Sequence, residues 1–331
     1  MFKQRLAIFL LGALSLTARA DDAPPLRVGW VFALANAPAL IAERKGFYAA
    51  EGLRVELKQF NDGPVLQQAV AAGELDVTYV GAPPIYQWAS RGLDARIIAK
   101  VNTGQAALVA GTDSGITKLA DLRGKRVASA AKGSGMDVLL RGYVIKDQAH
   151  LDPERETSIV TIPNANMNAA LERQVVDAAF TFEPFVSQAL LRGKARVVLD
   201  VNQALPAYPW FVVMALPKTL TQRPDDVVKL LRAHQKAIAF LNEHPDEANK
   251  LIADAFKLEP LIGANGKSIA PEALVQEARK RLGWSSKLTP SDLQFFQRLV
   301  DYSSALGFMG KPLKVEQLVD TSFERRAAGA K

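Results

Sequence analysis

Between residues 26 and 100, short apolar runs with a period near two alternate with segments whose apolar side chains recur every three or four positions. LRVGW (26–30), LRVEL (53–57), DVTYV (76–80) and ARIIAKV (95–101) predict strands. NAPALIAERKGFYAAEG (36–52), PVLQQAVAAG (64–73) and PPIYQWASRG (83–92) predict helices, the first capped by Asn36 and stopped by Gly52. About one hundred residues later the same order returns in KRVASA, SIVTI, NMNAALERQ, DAAFTF, PFVSQALLRG and ARVVLD. AVAAGELDVTYVGAPP (69–84) aligns with ALERQVVDAAFTFEPF (170–185), placing Asp76 on Asp177 and Pro83 on Pro184. Alternating strands and helices imply parallel, doubly wound sheets, so the expected class is α/β with two lobes of one plan and a cleft between them. AALVAGT (106–112) and YPWFVVMAL (208–216) are extended and join the halves, which predicts two crossing strands acting as a hinge. After Pro217 the period is helical over 224–243, 246–256, 272–282 and 291–305, and these helices are expected to pack on lobe 1. The expected boundaries are 21–108 with 212–331 for lobe 1 and 109–211 for lobe 2.

Open α/β sheets bind ligands beyond the carboxyl ends of their strands. At that end of KRVASA lies the turn Lys132-Gly133-Ser134-Gly135, followed by a helix whose Met136, Leu139, Leu140, Tyr143 and Val144 share one face. A first helical turn has unpaired N–H groups and a partial positive charge, and glycines let an anion approach the backbone. Ser134 adds a hydroxyl and Lys132 a cation. Ser134-x-x-Asp137 equally reads as a capping box in which the serine serves only the helix, and an Asp137 carboxylate there competes with a bound anion. Three other helix starts are expected around the same cleft: Gly81-Ala82-Pro83, with prolines suited to a first turn, Asn36, and Phe182-Glu183-Pro184. Trp30 and Phe32 after the first strand and Trp210 on the second crossing supply an apolar wall, which suits a small organic anion. Glu183 is either a carboxylate favoured by the helix dipole or a partner for an amine or hydroxyl on the ligand.

The N-terminal stretch MFKQRLAIFLLGALSLTARA changes the picture of where the chain works: Lys3 and Arg5 precede an apolar run, and Ala18-Arg19-Ala20 precedes Asp21. Residues 1–20 read as a cleavable signal peptide, with the periplasm as destination. The chain has no cysteine among 331 residues, so thiol chemistry, thiolate zinc sites and disulfides are excluded. Of the net charge of +7, the signal's Lys3, Arg5 and Arg19 account for three, leaving +4, with basic residues scattered among acidic ones. The basic footprint of a nucleic-acid binder is missing.

The ordered series LRVGW, GFYAAEGLRVEL, AVAAGELDVTYVGAPP, KLADLRGKRVASAAKGSG, VDAAFTFEPF and FVVMALPKTL resembles the nitrate, sulfonate and taurine group of periplasmic solute-binding proteins that serve ABC importers. The resemblance spans almost all of the chain after residue 20. It implies a type II periplasmic-binding-protein architecture, a monomer that closes on its ligand, and delivery of a small organic anion to an ABC permease in the inner membrane, with no cofactor. In sulfonate-binding relatives the loops matching Lys132–Gly135 and Gly81-Ala82 supply donors to the anion, so the site residues implied here are Gly81, Ala82, Lys132, Gly133, Ser134 and Gly135. Gly135 and Met136 stand where some of those relatives carry hydroxyl side chains. Taurine-binding members tend to carry an acid about where Trp210 stands, which points this chain toward a larger or aromatic sulfonate. Nitrate, bicarbonate and an aromatic carboxylate remain alternatives. An exported enzyme on the same plan is the competing class. Against it, His150, His234 and His244 are all remote from the proposed cleft loops, H-E-x-x-H, G-x-S-x-G and the P-loop are absent, and GSGMDV has Val138 where G-x-G-x-x-G needs its third glycine.

Overall fold

The computed structural model describes residues 24–205 and 208–329; the expected signal peptide lies outside them. The first half runs β1 (Leu26–Val31), α1 (Ala37–Arg44), α2 (Phe47–Ala50), β2 (Val55–Phe60), α3 (Gly63–Ala71), β3 (Val77–Gly81), α4 (Ala82–Ala89), β4 (Arg96–Lys100). After β5 (Asn102–Gly104) the second half follows as β6 (Ala106–Gly111), β7 (Arg126–Ser129), α5 (Gly135–Leu139) extended by a π-helix to Gln148, β8 (Ser158–Thr161), α6 (Met167–Glu172), β9 (Ala178–Phe182), α7 (Phe185–Leu191), β10 (Ala195–Asp200) and α8 (Val201–Ala204). Then come β11 (Phe211–Ala215), α9 (Pro217–Gln222), α10 (Pro224–Glu243), α11 (Pro245–Ala255), β12 (Leu261–Ile262), β13 (Ser268–Ile269), α12 (Pro271–Ala278), β14 (Leu282–Trp284), α13 (Pro290–Ala305) and α14 (Ser322–Ala327).

The long helix expected over 36–52 is two helices, because Gly46 takes a left-handed φ of +69° that ends α1. Asn36 precedes α1 but does not cap it with its side chain. Its Nδ2 donates instead to the Val31 carbonyl at 2.7 Å, fixing the exit from β1.

Two five-stranded sheets form, in the orders β2-β1-β3-β11-β4 and β8-β7-β9-β6-β10. The central strands β3, β9 and β11 are buried along their whole length, which is why they read as near-continuous apolar runs. The sheets are not wholly parallel: β11 runs antiparallel to β3 and β4, and β6 runs antiparallel to β9 and β10. A chain that leaves one sheet at its carboxyl edge and crosses to the other arrives at that sheet's carboxyl edge, so it has to run against the resident strands.

The two crossings are bonded to each other. Thr103 bridges Pro209, Gly104 N–H donates to the Tyr208 carbonyl at 2.9 Å, and Phe211 N–H donates to Asn102 Oδ1 at 2.8 Å. Gly104 is confined to glycine twice over: its φ is +74°, and a Cβ there would run into the Arg281 carbonyl. Gln105 beside it holds a φ of 111°, a strained value for a side-chain-bearing residue.

The aligned aspartates have the same task in each half. Asp76 accepts from Arg27 Nε, Nη2 and N–H at 3.0, 2.7 and 2.9 Å, and Asp177 accepts from the same three groups of Arg126 at 3.2, 2.8 and 2.8 Å. Each clamp ties the start of one strand to the loop before its neighbour. The Arg126 hydrogen bond holds the Asp177 carboxyl below the usual carboxylate range. At Asp76 burial pushes upward, but the bonds from Arg27 outweigh it.

Of the C-terminal helices, α10 lies on α1 and α2, and α11 on α1. The other two reach further than the first sheet: α12 touches α7, and α13 touches α4 but also α5 and the π-helix. A buried ion pair, Lys100 Nζ to Asp292 Oδ2 at 2.8 Å, fixes α13 to the end of β4. Among the described residues no helix is long and apolar enough to cross a membrane.

Candidate functional site

The carboxyl ends of the two sheets meet at one narrow cleft. Val31, Gly81, Ala130 and Phe182, at or just past the ends of β1, β3, β7 and β9, line it together with Trp210 and Phe211 on the second crossing. Its volume is about 30 Å³, enough for roughly two water molecules. The halves touch across it: Gln87 Nε2 on α4 donates to the Gly133 carbonyl at 2.7 Å.

The turn before α5 forms the serine cap but not the full capping box expected of it, because the Asp137 carboxylate reaches Gly133 N–H rather than that of Ser134. Ser134 Oγ accepts from Asp137 N–H at 3.3 Å as a helix cap, yet Ser134 also lines the cleft. A hydroxyl that caps through a lone pair still has its proton to donate. Asp137 is drawn inward, where Oδ2 accepts from Gly133 N–H at 2.9 Å and Oδ1 from Arg141 Nε at 2.7 Å. The carboxylate therefore occupies one donor of the turn while Arg141 compensates its charge. The N–H groups of Gly135 and Met136 keep no acceptor within the described residues. Gly133 has a φ of +79°, and a Cβ on Gly135 would lie 3.4 Å from the Trp210 ring and 3.6 Å from Pro83. Both are ordinary contact distances, so a methyl at 135 would pack against Trp210 and α4 without displacing them.

The other expected site residues divide. Gly81 lines the cleft, and a Cβ there would meet nothing within 4 Å, so its backbone is open. Ala82 is fully buried behind it. Pro83 and Pro84 fit the first turn of α4 but remove two of its N–H groups, so this helix start offers fewer donors than a generic one. Trp30 does not reach the cleft: it is 5% exposed, with its ring edge-on to Phe256 at 5.6 Å. Phe32 joins that cluster, 5.3 Å from Phe256 and 6.4 Å from Phe185. Asn36 is buried, with Nδ2 given to the Val31 carbonyl and Oδ1 without a hydrogen-bond partner among the described residues. Lys132 is exposed and outside the lining, so no cation comes from the turn.

Glu183 is also placed differently from the expectation of a ligand contact. It is fully buried, Oε2 accepts from Ser187 N–H at 3.1 Å, and Oε1 lies 3.4 Å from Arg281 Nη1. Burial pushes its carboxyl up to about 7, with the bonds from Ser187 and Arg281 pulling only partly back. Arg281 also faces Asp200 at 3.6 Å. This group joins β9 and α7 to the α12–β14 segment beside the crossings.

Two polar residues of the cleft escape a reading based on glycines and aromatics. Asp62, between β2 and α3, and Asn164, after β8, both line it. The signal for Asp62 was present in Asp62-Gly63-Pro64, a helix start at the carboxyl edge of β2, and its Oδ1 indeed caps α3 by accepting from Val65 N–H at 2.9 Å. Among the described residues no lysine, arginine or histidine lines the cleft. His234 lies under the first sheet, 3.3 Å from the Tyr79 hydroxyl, and burial lowers its pKa to about 4. Among the described residues no group of three or more His, Asp or Glu is placed to hold a metal ion.

Residues 19–256 match the NMT1-like family. The chain belongs to that family. A Bacillus subtilis (strain 168) protein named for binding aliphatic sulfonates is 28% identical over 332 residues, which covers 97% of this chain and 94% of that one. The fold is shared with the alkanesulfonate-binding protein SsuA from Xanthomonas axonopodis pv. citri, solved bound to MOPS, at a TM-score of 0.75 and 20% identity over 90% of this chain and 99% of that chain. It is shared as well with the periplasmic nitrate-binding protein NrtA from Synechocystis PCC 6803, at 0.76 and 18% identity over 93% and 89%. This NMT1-like chain thus has periplasmic-binding-protein architecture throughout its described length.

Proposed function

We propose that the protein is the periplasmic substrate-binding component of an ABC importer, that it takes a small organic anion, foremost an alkyl or aryl sulfonate, and that it delivers this to a membrane permease. The observation that carries the reading is the slot itself: the carboxyl ends of both sheets close on about 30 Å³ lined by Ser134, Gly135, Phe182 and Trp210. The N–H groups of Gly135 and Met136 and the Ser134 hydroxyl are neutral donors, which suffice for an anion that stays ionised at every physiological pH. Residues 24–104 with 211–329, which carry the first sheet, would move as one lobe against 106–205, because Ala106–Leu108 already pair with β9, with the bonded crossings at Thr103 and Pro209 as the pivot. As a monomeric carrier it needs no chemistry of its own, and none of its three histidines faces the slot.

Its test is a thermal-shift screen across sulfonates, sulfate esters, nitrate, bicarbonate and aromatic carboxylates. Ligand at ~100 times its dissociation constant stabilises the folded state by ~2.7 kcal/mol. A shift confined to sulfonates supports the proposal, one confined to nitrate or carboxylates replaces its ligand class, and turnover of a sulfonate during incubation would replace binding by catalysis.

A further inference from the structure

Resting on the sulfonate reading, we infer that Gln87 is a positioning residue: from the first half of the chain it fixes the peptide that carries Ser134 into the slot wall, and it does so only while the cleft is closed. Gln87 lies on α4, is 8% exposed, and donates from Nε2 to the Gly133 carbonyl at 2.7 Å. Its own backbone is held in turn, since Ser90 Oγ donates to the Gln87 carbonyl at 2.6 Å and accepts from Gly310 N–H at 2.8 Å.

A buried amide costs free energy unless it is hydrogen-bonded, and the partner of this one lies across the cleft rather than within α4. Packing alone is better served there by leucine or methionine. The place of the bond gives it a task. Gly133 C=O and Ser134 N–H belong to one planar peptide unit, and that unit is gripped at both ends: Ser134 N–H donates to the Ala131 carbonyl at 2.9 Å, and Gly133 C=O accepts from Gln87. Gly133, with a φ of +79°, is the third residue of the Ala131–Ser134 turn, a position that needs glycine and leaves the backbone free to rotate. A Cβ on it would lie 3.0 Å from Gln87 Oε1, so the amide rests against the bare Cα. Parting the halves removes the outer grip while the bond to Ala131, local to the turn, remains. Closure of the cleft and orientation of Ser134 toward the slot are thereby one event, and the fraction of protein in that competent state scales the apparent affinity.

Gln87→Met keeps the length and removes the donor, whereas Gln87→Glu keeps the shape and donates only when protonated. The experiment is calorimetric titration with ethanesulfonate, and stopped-flow measurement of its dissociation, for the full-length wild-type protein and both variants from pH 8 to 5. Each variant is compared with wild type at the same pH, and each unliganded protein is melted. At pH 8 the expected result for Gln87→Met is roughly tenfold weaker binding, carried by faster dissociation, with unliganded melting unchanged. Gln87→Glu should bind more weakly still at pH 8, where its carboxylate faces the Gly133 carbonyl. As pH falls it should recover beyond Gln87→Met, because a protonated carboxyl donates to that carbonyl and a thioether does not. This recovery decides the matter even where Gln87→Met also melts lower. Unchanged affinity in Gln87→Met, or a Gln87→Glu protein that levels off at or below the affinity of Gln87→Met, overturns the positioning role and leaves the sulfonate reading standing. Wild-type protein that does not bind ethanesulfonate overturns the sulfonate reading and this inference with it.

Discussion

Replacing Glu183 by glutamine isolates the largest pH-dependent contribution assigned to one buried side chain at the crossings. The carboxyl is fully buried, and its pKa is raised from 4.5 to about 7. A folded pKa above the unfolded one means that the folded state holds the proton more tightly. The stabilisation is complete below about pH 4.5 and is lost as pH rises through about 7. The difference between the two values corresponds to about 3 kcal/mol. Asp76 and Asp177 act in the opposite sense and in another window: their pKa values are lowered, so their stabilisation is lost only as pH falls below the ordinary carboxylate range. Between pH 5 and 8 they contribute a constant.

Glutamine keeps an oxygen for Ser187 N–H, and Arg281 retains Asp200 at 3.6 Å and Glu277 at 3.9 Å. Any fixed cost of the substitution appears at every pH, so the slope is the diagnostic quantity. Urea denaturation of the unliganded proteins at half-unit steps from pH 5 to 8 should show the stability of the variant, relative to wild type, rising by about 2 to 3 kcal/mol across the range. A difference that stays flat, or a wild-type protein that gains stability relative to the variant as pH rises, would refute the assignment and show that Arg281 keeps Glu183 ionised.

Two further outcomes follow from the turn before α5. Ser134→Ala should lower the unfolding free energy by about 1 kcal/mol, because the cap to Asp137 N–H is lost, and should also weaken sulfonate binding by roughly tenfold; denaturation and titration together separate the two roles, and a loss of stability with unchanged affinity would leave the serine as a cap alone. Gly135→Ala adds a methyl to the wall of the slot in ordinary contact with the Trp210 ring at 3.4 Å, so affinity should fall as the ligand is held off the backbone while the unliganded melting temperature holds or rises with the better helix former; undiminished affinity would show that the ligand does not approach the backbone at 135.

How much of this was legible in the sequence depends on whether the deciding neighbour is local. The strands and helices are set by periodicity, and the repeat that aligns Asp76 with Asp177 exposes the common plan of the two sheets. What the alignment does not contain is the register that delivers Arg27 and Arg126 to those carboxylates. Strand direction was hidden for a similar reason: AALVAG and FVVMA read as strands in any sheet, and only the route between halves makes them antiparallel. Gly46 ended a helix through a single backbone angle that apolar periodicity does not report.

At the site the same distinction operates at single-residue resolution. Gly81, Ser134 and Gly135 line the cleft because a strand end or a helix start determines where they lie. Trp30 and Glu183 sit one residue from Val31 and Phe182, which do line it. Successive side chains of a strand point to opposite faces, so a shift of one position exchanges cleft for core. Trp30 and Phe32 share the face that meets Phe256, and Val31 between them takes the other. Counting aromatics near a strand end therefore locates the cleft without assigning the side chain, and the partners that decide the face, Phe256 and Arg281, come from the far end of the chain. Asp62 was obscured in the opposite way. Its local role as a cap is complete in itself, and only its position at the carboxyl edge of β2 brings it to the lining of the cleft.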